Sequence, residues 1–404
     1  MQKRVLIVTP WIPYPITGAD QQDRFQGFLQ LKNTGYDIRV IAKIHAFQDR
    51  KKVETFYADA GIALTLIPYC RSHVLLLFRR IGRIFCEPAL LDGAALEYTD
   101  DATEQAVRDA VSIFKPDVAW VEFTFLWPVV RLLRSLHIPV VMRSANNEAQ
   151  QSIDEHGGRF FPRIISIPKF RSERIAARES SVVCAITPWE KKWYEHCGSK
   201  QVMVLPLRGL GRTLRTHKHT DKKILDVVFL SSSYSNGHNR DALHFVLTQI
   251  APLIRKRAPG EFRFHITGKK FPEEFRQFLT SDVVVHDFIP DLDHFLDTTD
   301  IALCPSVSGQ GMQQKIFEPL CCGLPLITHH TAGYPFEDGV HVLLADTAER
   351  YVEHLLHVRA SKVRQQLADH AHTLSAKIFS DAAMRSIATD ALETAISISS
   401  KAHL

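Results

Sequence analysis

The segment Asp300–Thr328, DIALCPSVSGQGMQQKIFEPLCCGLPLIT, decides the fold. Ile301–Cys304 has the apolar character of a buried strand, and the residues after it are small and polar. Met312–Cys322 then places apolar residues three and four apart, which predicts a helix that ends at Gly323. A further apolar run, Pro325–Thr328, predicts another strand. Strand, loop, helix and strand in this order are typical of a parallel sheet covered by helices.

The loop of this segment has the chemistry of an anion site. Gly309 and Gly311 allow the backbone to approach a ligand closely, and the first N–H groups of a helix have no intrahelical partner. Lys315 lies near the start of the helix and Glu318 one turn further on. A nucleotide diphosphate suits this arrangement, because its ribose hydroxyls need an acceptor. The alternative is an ordinary strand-to-helix turn with a surface glutamate, and loop chemistry alone leaves both open.

Composition and charge restrict the class of protein. The chain has 404 residues, 45% hydrophobic and 23% charged, which is the size and composition of two globular domains. No apolar run reaches the roughly 18 residues that span a bilayer, and the short N-terminal apolar run fits a first strand better than a signal peptide. The seven cysteines include no CxxC pair, which argues against a disulfide framework or a zinc site. We therefore expect a reduced, cytoplasmic protein.

The net charge of +5 lies entirely in residues 1–200. This favours an anionic ligand or an anionic membrane surface over nucleic acid, for which no motif is present. Arg71–Phe85, RSHVLLLFRRIGRIF, has an apolar stripe flanked by arginines and predicts possible association with the membrane surface. The alternative is a helix that faces the core and has a solvated basic side. Hydrolase elbow, P-loop and HExxH signatures are absent from the sequence.

Short apolar runs alternate with helical patterns, seven runs before residue 206 and six after residue 223. This alternation predicts an α/β protein with two doubly wound Rossmann-like domains that face each other across a cleft. We expect the first domain at 1–205, a linker at 206–223 and the second domain at 224–375. A C-terminal helix at 376–404 is expected to cross back to the first domain.

Polar loops after strands are the candidate ligand contacts of the first domain, because parallel sheets bind ligands beyond the carboxyl ends of their strands. The loop after the first strand contains Gly18 and Asp20, and Arg24 follows in the next helix. The run Arg143–Glu148, RSANNE, also comes directly after a strand. The alternatives are a simple connecting loop for the first and a helix N-cap for the second.

Two loops of the second domain have similar chemistry. Ser231–Arg240 is rich in serine and asparagine, and Arg240 is placed to reach a diphosphate from the start of a helix. Asp287–Leu292 offers backbone groups to a base edge, with Phe288 or Ile289 stacked on it. The alternatives are a solvated turn and apolar side chains that pack under their own loop.

Taken together, these loops resemble retaining glycosyltransferases of the GT-B fold, in particular glycosyltransferase family 4 (group 1). VLIVTPWIPYPITGAD resembles the first strand and glycine loop of that family, and RSANNE resembles its R-S-H-N-x-E segment. PLIRKRAPGEFRFHITGK resembles the helix and strand that lead to a glycine near the donor. The strongest match, HDFIPDLDHFLDTTDIALCPSVSGQGMQQKIFEPLCCGLPLIT, spans the donor-binding half. The resemblance covers nearly the whole chain.

The resemblance implies transfer of a sugar from a nucleotide-diphosphate sugar with retention at the anomeric carbon. The acceptor is expected to be a saccharide or a lipid-linked saccharide of surface polysaccharide or glycoconjugate synthesis, at the inner face of the cytoplasmic membrane. No cofactor and no metal ion are expected. The departing phosphate itself deprotonates the acceptor hydroxyl in this family, and backbone N–H groups, the helix dipole and positive side chains stabilise the leaving diphosphate.

The loop chemistry and the resemblance together give three groups of candidate site residues. The candidate catalytic residues are Glu318, Lys315 and Arg240. The donor-binding residues are Gly18, Ser232, Gly268, Phe288, Ile289, Gly309, Gln310, Gly311 and Met312. The acceptor-side residues are Asp20, Arg24, Glu122, Arg143, Asn146 and Glu148.

Three departures from the family pattern matter. Glu318 matches the second glutamate of the E-x7-E pair, but Gln310 replaces the first, which normally touches the donor sugar. Ala145 replaces the histidine of R-S-H-N, and the basic pair expected after the first strand of the second domain is reduced to Arg240. They favour an alternative function, a catalytically silent relative that binds a nucleotide sugar or acts as a scaffold. A GT-B epimerase is a weaker alternative, because its acid and base residues are not evident.

Overall fold

The computed structural model describes residues 2–70, 87–155, 160–235, 237–287, 289–306, 312–331 and 334–402. The chain divides into two compact units. The first unit comprises Met1–Gly209 and Asp381–Leu404, and the second comprises Leu210–Ser380. Residues 206–223, predicted as a linker, are divided between the two units and include a 3-10 turn at Leu210–Thr213.

The first unit contains a parallel seven-stranded sheet. Its strands are β1 Arg4–Trp11, β2 Asp37–Ile44, β3 Ala63–Pro68, β4 Val118–Glu122, β5 Val140–Arg143, β6 Val182–Ala185 and β7 Val202–Val204. Their order across the sheet is β3-β2-β1-β4-β5-β6-β7. The direction of winding therefore reverses between β1 and β4, and the loops after these strands flank the usual ligand position of a doubly wound fold.

The second unit contains a parallel six-stranded sheet of the same design. Its strands are β8 Leu225–Phe229, β9 Phe262–Thr267, β10 Val283–His286, β11 Ile301–Cys304, β12 Leu326–Thr328 and β13 Leu343–Leu344. They are ordered β10-β9-β8-β11-β12-β13, so the winding reverses between β8 and β11. All thirteen predicted strands are present, and their ends differ from prediction by two residues at most.

Helices connect most of the successive strands in both units, since parallel strands need a long crossover connection. In chain order they are α1 Ala19–Asn33, α2 Arg50–Asp59, α3 Gly93–Tyr98, α4 Asp101–Phe114, α5 Trp127–Ser135, α6 Glu148–Glu155, α7 Phe160–Ile165, α8 Ile167–Glu179, α9 Pro188–His196, α10 Gly237–Phe245, α11 Ala251–Arg257, α12 Leu292–Thr298, α13 Gln314–Cys321, α14 Ala348–His357, α15 Ser361–Phe379 and α16 Asp381–Ala402. In the part of the chain that the structure describes, no helix has both the length and the apolar character to cross a bilayer.

Both faces of the first sheet are buried, as expected for parallel strands covered on both sides. Val5 and Ile7 of β1 belong to one apolar cluster, and Leu6 and Val8 belong to the other. The last helix, α16, contributes Met384 and its apolar neighbours to the cluster of Val5 and Ile7. The C-terminal segment is therefore part of the core of the first unit.

Helix α13 follows β11 and holds two of the predicted catalytic residues. Ile316, Phe317 and Leu320 are buried, which orients the helix on the second unit. Gly323 ends it with a φ of +74°, and a Cβ at this position would lie 2.8 Å from the backbone nitrogen of His217. The helix begins at Gln314, two residues later than predicted, and has eight residues.

Candidate functional site

The point of reversed winding in the second unit gathers several predicted site residues. β8 and β11 are neighbours in the sheet, and the chain continues from them into α10 and α13. Ligands of doubly wound sheets bind in the crevice beyond the carboxyl ends of such a strand pair. Side chains of both helices and of the loop after β11 meet there, together with a backbone carbonyl of the loop after β8.

Lys315 connects the two loops. Its Nζ donates a hydrogen bond to Oδ1 of Asn239 at 2.8 Å and lies 3.4 Å from Oγ of Ser306. The amide of Asn239 donates in turn to the carbonyl of Ser233 at 2.8 Å, which fixes its orientation. Burial lowers the pKa of Lys315, and both hydrogen-bond partners that the structure describes for its Nζ are neutral. A cation with neutral partners at this edge is suited to an anionic ligand.

Glu318 lies one turn further along α13 and is directed inward, with 4% of its surface exposed. Its Oε1 lies 3.3 Å from Nη2 of Arg212, and its Oε2 accepts a hydrogen bond from Nε2 of Gln314 at 3.2 Å. Burial raises the pKa of Glu318, and the Arg212 guanidinium opposes that shift. Because each carboxylate oxygen has two lone pairs, Glu318 keeps the capacity to accept further hydrogen bonds.

Arg212 and Asn239 are partners that the sequence did not identify. Arg212 lies in the turn Leu210–Thr213, in a segment without periodicity that was predicted to be a linker. Asn239 directly precedes Arg240 in the polar run after β8. The prediction chose Arg240 because it is charged. The only available signal was the type of residue, because both contacts depend on tertiary structure.

The loops after β8, β9 and β10 come together around Gly268. This residue has a φ of +128°, and its N–H donates to the carbonyls of His286 and Asp287 at 3.1 and 3.2 Å. A Cβ at this position would lie 2.9 Å from the carbonyl oxygen of Ser231. The carbonyl of Ser232 accepts a hydrogen bond from Lys269 N–H at 3.2 Å, so the predicted pair Ser232 and Gly268 are neighbours.

Arg240 has partners that the sequence did not identify. Its guanidinium forms an ion pair with Glu274 and lies 5.7 Å from the ring centre of Phe275. It therefore contacts the 3-10 segment Glu273–Phe278, whereas the cation between the two central loops is Lys315. The predicted contact of Arg240 with a diphosphate stays a prediction.

Some predicted residues fall outside the described part of the chain. These are Gly309, Gln310 and Gly311 of the loop after β11, Phe288, and the basic segment Arg71–Phe85. Ile289 and Met312 are described, and both are half-buried.

In the first unit, Gly18, Asp20 and Arg24 lie around the start of α1. Gly18 is the N-cap residue of the helix, and Asp20 accepts a hydrogen bond from Nε of Arg24 at 3.0 Å. Nη1 of Arg24 donates to Oγ1 of Thr9 at 2.8 Å and to the carbonyl of Trp11 at 2.6 Å. Arg24 is 1% exposed, and its hydrogen bonds connect the end of β1 to α1. Asp20 is the more accessible member of the ion pair.

Glu122 and Arg143 belong to a buried ionic network instead of an open acceptor surface. Arg208 donates to Glu122 from Nη1 at 2.8 Å and to Asp23 from Nη2 at 2.6 Å. Nη2 of Arg143 lies 3.9 Å from the same Asp23 carboxylate. Burial alone would raise the pKa of Asp23, but Arg208 and Arg143 outweigh it and the pKa is lowered. A Cβ on Gly27 would lie 2.3 Å from Nη1 of Arg208, so α1 needs a glycine there.

Asn146 and Glu148 are half-buried at the carboxyl end of β5, above two acids that the sequence did not single out. Burial, with a smaller contribution from Glu148, raises the pKa of Glu173 to about 8. Burial also raises the pKa of Glu190 to about 7. Trp193 Nε1 donates to Glu173 at 3.2 Å, and the N–H of Ile186 donates to Glu190 at 3.1 Å. Their signal in the sequence was weak, because both are isolated acids in helical segments.

Comparisons with known proteins agree with this architecture. Residues 225–360 match a protein family described as "Glycosyl transferases group 1". This match confirms the resemblance to group 1 glycosyltransferases in the part of the chain that contains Lys315 and Glu318. No curated protein matches the chain.

Several solved structures share the fold over almost the full length of the chain. HepE from Anabaena, solved with UDP and glucose, has a TM-score of 0.67 at 13% identity, with 97% of this chain and 100% of that chain covered. Sucrose-phosphate synthase from Thermosynechococcus elongatus has a TM-score of 0.68 at 12% identity, with coverage of 98% and 100%. A glycosyltransferase from Rickettsia africae has a TM-score of 0.66 at 9% identity, with coverage of 98% and 99%. These likenesses confirm the predicted α/β class with two Rossmann-like units, the GT-B fold.

Proposed function

We propose that the protein is a retaining, metal-independent glycosyltransferase of the hexosyltransferase type, which moves a sugar from a nucleotide-diphosphate sugar to a saccharide or glycolipid acceptor. The observation that carries this proposal is the position of Lys315, a partly buried cation at the point of reversed winding of the group 1 glycosyltransferase region. HepE was solved with UDP and with UDP-glucose, so UDP-glucose is the first donor to test.

The described side chains suit the donor half of this reaction. Lys315 would bind the diphosphate and stabilise the charge that develops on it as the glycosidic bond breaks. The N-terminus of α13 adds a positive end of a helix dipole, and its N-cap residue Gln313 makes no side-chain cap hydrogen bond. Glu318 would accept hydrogen bonds from the ribose hydroxyls, held in orientation by Arg212 and Gln314.

The acceptor half of the reaction has fewer candidate contacts than the sequence suggested. Glu122 and Arg143 are 1% exposed and satisfied within the ionic network, so they would shape the first unit without touching an acceptor. Asp20, Asn146 and Glu148 are half-buried, so part of each side chain is accessible to a ligand. The departing phosphate would take the proton of the acceptor hydroxyl, so the proposal needs no protein base.

A nucleotide-sugar cleavage assay tests the proposal. The full chain is incubated with a panel of UDP-, GDP- and ADP-sugars, and release of the nucleotide diphosphate is measured without an acceptor. Lys315→Ala is expected to lower cleavage about 100-fold or more, as removal of one group that stabilises a developing anion does. Glu318→Ala is expected to raise the KM for the donor, and Lys362→Ala, an exposed lysine of α15, serves as the matched control.

The alternative function, a catalytically silent nucleotide-sugar binder, is favoured by Gln310 and Ala145. It predicts that a nucleotide raises the Tm of the protein while no donor in the panel is cleaved. If neither stabilisation nor cleavage occurs, or if Lys315→Ala behaves like Lys362→Ala, the assignment of the site is wrong. For an active enzyme, NMR of the new anomeric centre tests retention, and EDTA tests independence from metal ions.

We also propose that the enzyme works in the cytoplasm at the inner face of the membrane. The proposal rests on the basic and apolar sequence of Arg71–Phe85. Exposed apolar residues of α7 and α8 support it. Ile165 and Ile167 are 71% and 46% exposed, and the basic residues Arg163 and Arg171 are close to them in sequence. Co-sedimentation with anionic and neutral vesicles tests it, and a triple alanine variant at Arg79, Arg80 and Arg83 is expected to lose binding to the anionic vesicles.

A further inference from the structure

Two adjacent histidines lie at the carboxyl edge of the second sheet, outside the site described above. His329 and His330 follow β12 directly, and Asp346 follows β13 after one residue. Thr328 pairs with Leu344 in the parallel register of these strands. The N–H of Ala345 donates to the carbonyl of Thr328 at 2.9 Å, so the sheet brings the three side chains together.

The potential ligand atoms converge. Nδ1 of His330 lies 2.6 Å from Oδ1 of Asp346, and Nε2 of His329 lies 3.4 Å from the same oxygen. One ligand atom from each of the three residues lies within 4.8 Å of the other two. In a tetrahedral zinc site with bonds of about 2.0–2.1 Å, neighbouring ligand atoms are about 3.3 Å apart. The observed separations reach that geometry through small rotations of His330 and Asp346, which are more than half exposed.

The other ring nitrogen of His329 is held by Thr331. Nδ1 of His329 accepts a hydrogen bond from the N–H of Thr331 at 3.4 Å and lies 2.9 Å from Oγ1 of the same residue. These two contacts fix the orientation of the ring, with Nε2 directed at Asp346. His329 is also the most buried of the three, with 13% of its side chain exposed.

We propose that His329, His330 and Asp346 form a binding site for a divalent transition-metal ion of the zinc type, with its remaining coordination position open to water or a ligand oxygen. Two imidazoles and one carboxylate select such an ion over magnesium or calcium, which prefer sites made of oxygen ligands. Three protein ligands with an open position are the composition of reactive zinc centres, whereas structural zinc sites have four.

This site is separate from the proposed transfer chemistry. Lys315 lies between the loops after β8 and β11, whereas the histidines follow β12 on the far side of β11. The strands that precede the two sites are hydrogen-bonded through Thr328, whose hydroxyl donates to the carbonyl of Cys304 at 2.8 Å. Metal binding and sugar transfer can therefore be measured independently, and either proposal can fail alone.

Titration of the untagged full chain with Co²⁺, in the absence of nucleotide, tests the proposal. We expect one ion per chain, with visible absorption bands typical of a low-coordinate site and no thiolate charge-transfer band, because the ligands are nitrogen and oxygen. Zn²⁺ is expected to displace Co²⁺. Alanine at His329, His330 or Asp346 is expected to weaken binding at least about tenfold, the lower limit for loss of even an outer-shell partner.

His357→Ala, which changes an exposed histidine at the end of α14, is the matched control and is expected to bind like the wild type. His330 and Asp346 are more than half exposed, so their variants should fold normally, which circular dichroism melting verifies. Absence of stoichiometric Co²⁺ binding in the wild type overturns the proposal. So does unchanged binding in the three ligand variants, or an equal loss in His357→Ala.

Discussion

Two cations, one in each unit, have different kinds of partner. Arg208 of the first unit is paired with carboxylates, whereas Lys315 of the second unit is hydrogen-bonded to neutral groups. Arg208 is 1% exposed, and its guanidinium donates to both Asp23 and Glu122. Lys315 is only partly buried, and the structure describes two neutral oxygens as its partners. Removal of one member of a matched buried network leaves an uncompensated charge inside the unit, whereas a cation with neutral partners retains attraction for an external anion.

The largest expected effect of this difference is on the stability of the first unit. Arg208→Met leaves Asp23 and Glu122 buried without their shared cation, which should lower the free energy of unfolding by about 3–5 kcal/mol. Urea unfolding followed by tryptophan fluorescence measures it. Arg276→Met, which removes an exposed ion pair with Glu273, should change stability little. Equal effects of the two substitutions would contradict the comparison.

Lys315→Met should act in the opposite direction. Replacement of a partly buried cation that has neutral partners is expected to leave the protein as stable as the wild type or more stable by about 1 kcal/mol. The same variant should lose the rise in Tm that UDP or another nucleotide diphosphate produces. Differential scanning fluorimetry with and without nucleotide measures both quantities. A large loss of stability without loss of nucleotide binding would assign Lys315 a structural role.

Glu173 provides a test in the first unit that depends on pH. Because its pKa is raised to about 8 in the folded chain, from an ordinary 4.5, the folded state binds the proton more strongly than the unfolded state. Its contribution to stability is complete below about pH 4.5 and is lost as the pH rises to about 8, at about 1.4 kcal/mol per pH unit. Glu173→Gln should remove this slope between pH 5 and 8 in urea unfolding, whereas Glu179→Gln should retain it.

The smallest expected effect is the coupling between Arg212 and Glu318. Arg212 is 34% exposed and lies 3.3 Å from the carboxylate, so a double-mutant cycle with Arg212→Gln and Glu318→Gln should give about 1 kcal/mol or less. The coupling measured from nucleotide affinity should exceed the coupling measured from urea unfolding, because the pair orients Glu318 toward the ligand. Equal values from the two measurements would remove that role from Arg212.

Much of the fold was predictable from local patterns. Alternating apolar runs and helical periods predicted all thirteen strands, because parallel strands buried on both faces have a distinctive composition. Lys315 and Glu318 were predicted from a glycine loop that precedes a helix, which is also a local signal. These features depend on neighbours within a few positions of the chain.

The partners of the site residues were not predictable in this way. Arg208 reaches Asp23 from 185 positions away, and Lys315 reaches Asn239 from 76. Glu122 was expected on the acceptor side, but its carboxylate forms an internal ion pair with Arg208. Arg240 was predicted to contact a diphosphate because of its charge, and the structure pairs it with Glu274. Such outcomes require tertiary contacts that sequence spacing does not contain.

The discontinuity of the first unit has a consequence for synthesis on the ribosome. The sheet of this unit is complete by Val204, but Met384, Ala388 and Leu392 of α16 supply part of the apolar layer on one of its faces. The intervening unit, Leu210–Ser380, emerges earlier and has its own core. The nascent chain must therefore keep one face of its first sheet incompletely covered until translation reaches the final helix.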